Sequence, residues 1–519
     1  MAKIDKLIVT NLGALGAKYG STGRTTILRA VRRLIVADQA RGVATALIGL
    51  DDARRLHAYG ARAVTSPTDP RSNKAAIDAL FHAVGPDYLM ILGAIDVVPH
   101  QNLRNPVYDP NDDPDRFAYG DLPYACEAPY SQSIGDFRGP TRVVGRLPDV
   151  TGGTDPRYLT GLLGRAARWR QRARADYEAY LGITASVWSK STALSLTNIF
   201  GNATDLQSVP PAPAPNWPPR LLGRRSHFIN CHGADGEPFY YGQRGQSYPT
   251  AHAAAWIDRR VTEGTVIAAE CCYGAELYDP QKAATAKGQT SICNTYLGSG
   301  AYGMFGSSTI AYGPSSGNGS ADLICQYFLE LVLEGASLGR AALEARQWFA
   351  QSTTVLDPTD LKTLGQFSLM GDPSIHPVVK EQPALTRGKV YRRVFPTAAE
   401  MPTGRSLRRE RLLKTGLAIA ASVSTARPAP GRRTAGTVKK VLEAAGRESG
   451  LRKLTWGSFS IHDPGRRLLG KAKARVSQPT AIHVAKGRPV RGPRCQYPVV
   501  LVATVDRGTI VRLRRLHGK

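Results

Sequence analysis

Residues 266–277 read VIAAECCYGAEL: four small apolar residues run into a glutamate, two adjacent cysteines and a tyrosine-glycine. A short apolar run closed by a turn residue fits a strand buried on both faces of a parallel sheet. A second stretch, SHFINCHGADGE at 226–237, has the same shape and ends on a histidine and a glycine. In an open parallel sheet, functional side chains gather beyond the carboxyl ends of the strands. Neighbouring strands lie about 4.8 Å apart, so if these two are neighbours, His232 and a cysteine leave the sheet side by side.

Working outward, the same alternation recurs. KLIVTNL (6–12) and TALIGL (45–50) are β-rich runs flanking TTILRAVRRLIVADQARG, whose apolar residues recur at helical spacing before a glycine stop. NKAAIDALFHAVG leads to DYLMILGAIDVVP, another continuous apolar run, and RVVGRLP (142–148) is a further strand. A helix-rich passage, 155–182, separates this unit from a second one containing the two opening stretches, GAYGMFGSS (300–308) and two amphipathic helices over 321–351. VPPAPAPNWPP (209–219) holds too many prolines for a helix or a central strand and reads as a loop. The fold class expected is α/β, a layered α/β/α body with mostly parallel sheets in two subdomains, 1–160 and 161–384. A small basic α+β domain, 385–519, follows and closes on a hairpin turning at Asp506-Arg507-Gly508.

A thiol beside an imidazole is a nucleophile with its base. Glycines beside each, Gly233 and Gly274, leave room for a substrate backbone and let main-chain N–H groups turn toward an oxyanion. Strand alternation allows only one of Cys271 and Cys272 to face His232. One of Cys271 and Cys272 is then the nucleophile, the other thiol packing inward. Asp235, Glu237 and Glu270 are candidates for a substrate pocket or for orienting the imidazole, with Glu270 expected to turn away by the same alternation. His227 precedes its apolar run and sits at the wrong end of the strand; Cys231 and Asp372 read as structural. Seven scattered cysteines, with no pair at metal-finger spacing, indicate free thiols and no metal site. The oxygen-rich loop NDDPDRFAYGD (111–121) lacks EF-hand spacing and reads as solvated.

Strand-His-Gly followed some 40 residues later by strand-Cys-x-x-Gly resembles the caspase-fold clan of cysteine peptidases. Three further passages are similar to the gingipain branch: DYLMILGAIDVVPH, the pair DLPYAC and RVVGRLP over 121–148, and FSLMGDPSIHP at 367–377. The resemblance spans roughly 80–378 and does not reach the basic tail. It implies a caspase- or gingipain-like hydrolase that cuts peptide bonds in protein substrates with a Cys-His dyad and no cofactor, often after Arg or Lys. Cys-x-x-Gly, the commonest clan pattern, makes Cys271 the preferred nucleophile, and the caspase variant Cys-x-Gly makes Cys272 the alternative.

The net charge of +27 is unevenly placed. Residues 381–519 carry 31 Lys and Arg against 7 Asp and Glu, while the first 380 carry 37 against 34. A single-sign field of that size suits a polyanion such as nucleic acid, or an acidic protein partner, bound through 385–519. The longest apolar run in the remainder, GLAIAASV (416–423), is far short of the roughly 20 residues of a membrane span. With no signal-peptide pattern in MAKIDKLIVTNLGALG, a cytoplasmic location is expected. Together these features describe an intracellular cysteine endopeptidase, latent until a partner or ligand activates it, in keeping with a bacterial defence or cell-death role. The alternative is a catalytically inactive peptidase-like scaffold carrying a nucleic-acid-binding tail.

Overall fold

A computed structural model describes residues 3–380, 405–451, 453–464, 480–488 and 497–519. Ten strands make one sheet: β1 (Lys6–Thr10), β2 (Thr45–Gly49), β3 (Tyr88–Leu92), β4 (Val144–Leu147), β5 (Tyr180–Ala185), β6 (Leu206–Val209), β7 (Ser226–Asn230), β8 (Val266–Ala269), β9 (Gly303–Ser307) and, later in the chain, Phe367–Gly371. Their spatial order is β2, β1, β3, β4, Phe367–Gly371, β9, β8, β7, β5, β6. The first five are parallel to one another, as are the last five, and the halves meet in the antiparallel pair of β9 with Phe367–Gly371. The two α/β units expected from the sequence thus share a sheet, and a strand from the later span completes the earlier half. Within the passage read as helix-rich, 180–182 are strand; Tyr180, Leu181 and Gly182 begin a run buried at every position, which a sheet covered on both faces accommodates.

Helices Leu12–Ala40, Arg157–Arg168 and Ile292–Ser299 form one flanking layer, and Ser189–Phe200, Ala321–Leu333 and Leu338–Gln351 the other. The motifs that carried the gingipain likeness are largely buried structure. Arg146 of GRLP lies on the Asp121 carboxylate of DLPYA at 2.6 Å, and His100 Nδ1 is 2.9 Å from the same carboxylate. Burial opposes ionisation of Asp121, but the Arg146 guanidinium and the His100 imidazole override it and hold the carboxyl well below the usual carboxylate range. Asp372 accepts from Ser374 and pairs with the buried Lys6. The loop 111–121 is not solvated throughout: Asp113 is fully buried, and Asp113 and Asp115 accept from the Lys362 ammonium at 2.7 and 3.2 Å.

A second sheet joins the basic region to the body. It contains β10 (Tyr312–Gly313) and β11 (Val355–Leu356), with Phe367–Gly371 above taking the label β12, then β13 (Ser424–Pro428), β14 (Thr455–His462), β15 (Ala481–Gly487), β16 (Val499–Asp506) and β17 (Thr509–Gly518). The order β10, β17, β16, β15, β14, β13, β11 places body strands at both edges. The hairpin turn is present, with Arg507 and Gly508 both at positive φ, as a two-residue loop between twisted strands requires. Part of the region's positive charge is turned inward: Arg514 lies on Asp360 at 2.9 Å, and the Lys486 ammonium donates to the Val107 carbonyl. Clusters at 405–411, 431–440 and 511–519 lie on described elements or their flanks, whereas GRRLLGKAKAR lies outside the described residues. No helix among the described residues is long and apolar enough to cross a membrane.

Candidate active site

β7 and β8 are adjacent and parallel, with Ile229 level with Ala269. Chain continuation then brings His232 and the two cysteines past the same end of the sheet. A small antiparallel sheet, His232–Gly233 with Phe239–Tyr241 and Thr250–Ala253, carries the histidine outward. The cysteines enter a tight turn in which the Gly274 N–H donates to the Cys271 carbonyl and Tyr273 takes positive φ. The Gly274 N–H is therefore committed to that turn.

His232 is 1 % exposed. Its Nε2 is 2.7 Å from Gln243 Oε1, and the Gln243 amide is oriented by donating to the Gly245 carbonyl and the Tyr248 hydroxyl. Those bonds leave the amide oxygen facing the ring, so Nε2 carries the proton and Nδ1 the lone pair. Nδ1 makes no hydrogen bond of normal geometry and lies by the main chain of Gly518. Trp188 packs at 4.3 Å between ring centroids and Tyr497 at 3.6 Å. Burial pushes the imidazole down to about 3, so it is neutral.

The two thiols differ in surroundings. Cys271 Sγ points to the Ile229 carbonyl at 3.9 Å, with Cys231, Tyr240 and Tyr296 as interior neighbours. Cys272 Sγ accepts from the Ala311 N–H at 3.3 Å. Burial pushes both thiols well up, so neither is a thiolate here. The hydrogen bonds of His232 and of both sulfurs go elsewhere than to one another. The Cys272 N–H donates to the main-chain oxygen of Lys519 at 2.5 Å.

Lys519 is the feature that sequence reading missed. Its side chain is fully buried and its ammonium lies 2.8 Å from Glu270 Oε2 and 2.5 Å from Asp322 Oδ1. The ammonium also sits 5.4 Å above the Trp188 ring. Gly313 makes this possible: a Cβ there would fall 2.2 Å from Lys519 Cε and 2.6 Å from Asp322 Oδ2. Burial alone would lower the Lys519 ammonium, but the carboxylates of Asp322 and Glu270 override it and raise its affinity for the proton. Burial, and then the neighbouring Asp322, hold the Glu270 carboxyl well above its ordinary range. Two buried carboxyls thus share one buried ammonium.

Among the acidic candidates Asp235, Glu237 and Glu270, only Glu270 pairs with the Lys519 ammonium. Glu237 accepts from Tyr241, and Asp235 shares a hydrogen bond with Glu276, which also accepts from the Gly236 N–H at 3.0 Å. Asp322 stands in the first turn of the apolar helix Ala321–Leu333, where its sequence setting reads as a helix-dipole partner. The Gly233 position is close to the cysteine turn: a Cβ there would meet the Cys272 carbonyl oxygen at 1.9 Å. Among the described residues no group of three or more His, Cys, Asp or Glu is arranged to hold a metal ion.

No family model matches the chain, and no curated protein matches it. Among solved structures it is similar to a chain described as "Structure of Protease", at 12% identity over 99% of this chain and 98% of that one, with a TM-score of 0.46.

Proposed function

We propose that the protein is a cysteine peptidase of the caspase-fold clan that cleaves its protein substrates after lysine or arginine, with Cys272 as nucleophile and His232 as acid/base. The observation that carries this reading is the seat of Lys519: its main-chain oxygen on the Cys272 N–H, its ammonium on Glu270 and Asp322. A substrate residue seated likewise has its carbonyl polarised by the N–H of the residue that bears the attacking sulfur. Cys272 is chosen over the first choice, Cys271, because its own N–H meets the Lys519 main-chain oxygen, whereas the Cys271 sulfur lies against the Ile229 carbonyl.

In the reaction, Cys272 gives its thiol proton to His232 Nδ1 as sulfur bonds to the carbonyl carbon. The carbonyl π pair moves to oxygen, stabilised by the Cys272 N–H. Collapse breaks the C–N bond, and the imidazolium passes its proton to the departing amine, leaving a thioester. Water, deprotonated by His232, attacks the thioester and releases the new carboxyl-terminated product and the thiol. Gln243 holds Nε2–H and so keeps Nδ1 free for both transfers.

The experiment is hydrolysis of fluorogenic peptides with Arg, Lys, Asp, Leu or Asn before the scissile bond, by full-length Lys519→Ala protein with and without Cys271→Ala, Cys272→Ala or His232→Ala. The reading requires cleavage after Lys and Arg that disappears with Cys272 or His232 and persists with Cys271→Ala. Cleavage dependent on Cys271 reverses the assignment, and no cleavage of any peptide removes it.

A further inference from the structure

We propose that β17 and Tyr497 keep the site shut by an internal pseudosubstrate, Leu516-His517-Gly518-Lys519, which occupies the cleft that a substrate chain would enter. The proposal rests on the peptidase reading and names the regulation of that site. Four observations carry it. The Lys519 N–H donates to the Ala311 carbonyl at 3.0 Å, and Gly518 and His517 pair antiparallel with Tyr312 and Gly313 of β10. An extended peptide added to an exposed strand in this way is the β-addition mode of peptide recognition. The Lys519 main-chain oxygen takes the Cys272 N–H, the donor available to a reacting carbonyl. The Lys519 side chain threads past Gly313 to the two carboxyls in a chamber a Cβ would fill. Tyr497, two residues before β16, lies tilted over the His232 ring with centroids 3.6 Å apart and stacks on Tyr248, capping the imidazole.

The occupant is anchored outside the site as well. Arg514 lies on Asp357 and Asp360 and donates to the Ser320 hydroxyl at 2.7 Å. Ser320 directly precedes the helix that carries Asp322, so one strand is tied to the same element at two places. The neutral, hydrogen-bonded thiols and the buried imidazole are those of a resting site: both sulfurs bond to main chain while Lys519 is seated. Activation is then the withdrawal of β17, which opens β10, Gly313 and the Glu270–Asp322 pair to a lysyl or arginyl segment of another protein.

The test is binding in trans. A fluorescein-labelled peptide Arg-Leu-His-Gly-Lys, copied from 515–519, is titrated by anisotropy into full-length wild type, Lys519→Ala and Lys519→Met, with Gly313→Ala/Lys519→Ala as the blocked control. If the closed state holds about 99 % of the molecules, wild type binds the peptide about 100-fold more weakly than the emptied variants. The expected result is binding by both emptied variants, weakened binding by wild type and loss in the Gly313→Ala control. Equal affinity for wild type and variants overturns the proposal, as does no binding by any of them. Lys519→Met retains the apolar stem, so a variant destabilised by loss of packing is told apart from one emptied of charge. Hydrolysis of a lysyl fluorogenic substrate is read on the same proteins: binding without hydrolysis leaves the internal occupant in place and removes the peptidase reading, whereas wild-type hydrolysis as fast as that of Lys519→Ala removes the occupant and keeps the peptidase.

Discussion

Gly233→Ala tests how tightly the site is built. The new methyl carbon would lie 1.9 Å from the Cys272 carbonyl oxygen, 3.0 Å from the Cys272 carbonyl carbon and 3.5 Å from Cys271 Cβ. Two of these neighbours are main chain and cannot swing aside as a side chain would. A contact between carbon and oxygen has to open by at least about 1 Å, and overpacking of this kind typically costs about 1–3 kcal/mol of stability. The shift falls on the peptide unit that follows the proposed oxyanion donor, and a misplacement of about 1 Å costs roughly 100-fold in rate. The assay is kcat/KM on a lysyl fluorogenic substrate in the Lys519→Ala background, with a thermal melt to verify folding. The expected outcome is a folded protein, a modestly lower Tm and a loss of about 100-fold in kcat/KM. Activity within about threefold of the parent, in a protein with the parent's Tm, refutes the claim that Gly233 and the Cys272 turn are packed against each other at the reacting centre.

Asp322→Asn removes a charge-assisted hydrogen bond to a substrate ammonium, and lysyl substrates should lose about 10- to 100-fold in kcat/KM while a neutral residue at that position is affected little; a steady-state comparison of lysyl and leucyl peptides checks it. Arg514→Leu leaves Asp357 and Asp360 without their partner and should destabilise the fold by about 3–5 kcal/mol, measured by denaturant titration. His227 is fully buried between the Tyr296 hydroxyl and the Arg224 carbonyl, and burial lowers it to about 4. A lowered imidazole contributes stability that is complete above the unfolded value of about 6.5 and lost as pH falls toward 4, so this residue should make unfolding easier by about 3 kcal/mol at pH 4 than at pH 7. The pH dependence of the midpoint in wild type and His227→Gln checks both sign and size.

The sheet and the pairing of β7 with β8 were legible because strands buried on both faces are written as short runs with apolar centres closed by turn residues, as in HFIN and VIAA. That pairing alone is enough to place His232 and the cysteines at one edge. The exchange of Phe367–Gly371 into the earlier half was not legible, since FSLMG reads the same whichever neighbour it has. The chamber around Lys519 was hidden for a different reason. Glu270 was expected to turn away by strand alternation, but the strand ends at Ala269 and the turn that follows, with Tyr273 at positive φ, does not alternate. Asp322 reads as a helix-start residue, Gly313 as one loop glycine among many, and Lys519 as one more cation in a basic tail. Their meeting depends on β17 pairing with β10 across some 200 residues of sequence, a register that no local pattern encodes.

The most direct measurement is mass-spectrometric mapping of the adduct formed when Lys519→Ala protein is treated with a lysyl chloromethyl ketone, a probe that places an electrophilic carbon where the substrate carbonyl would be. The account predicts a single adduct on Cys272, lost in His232→Ala and prevented by excess Arg-Leu-His-Gly-Lys peptide. An adduct on Cys271, or none on either thiol, contradicts it.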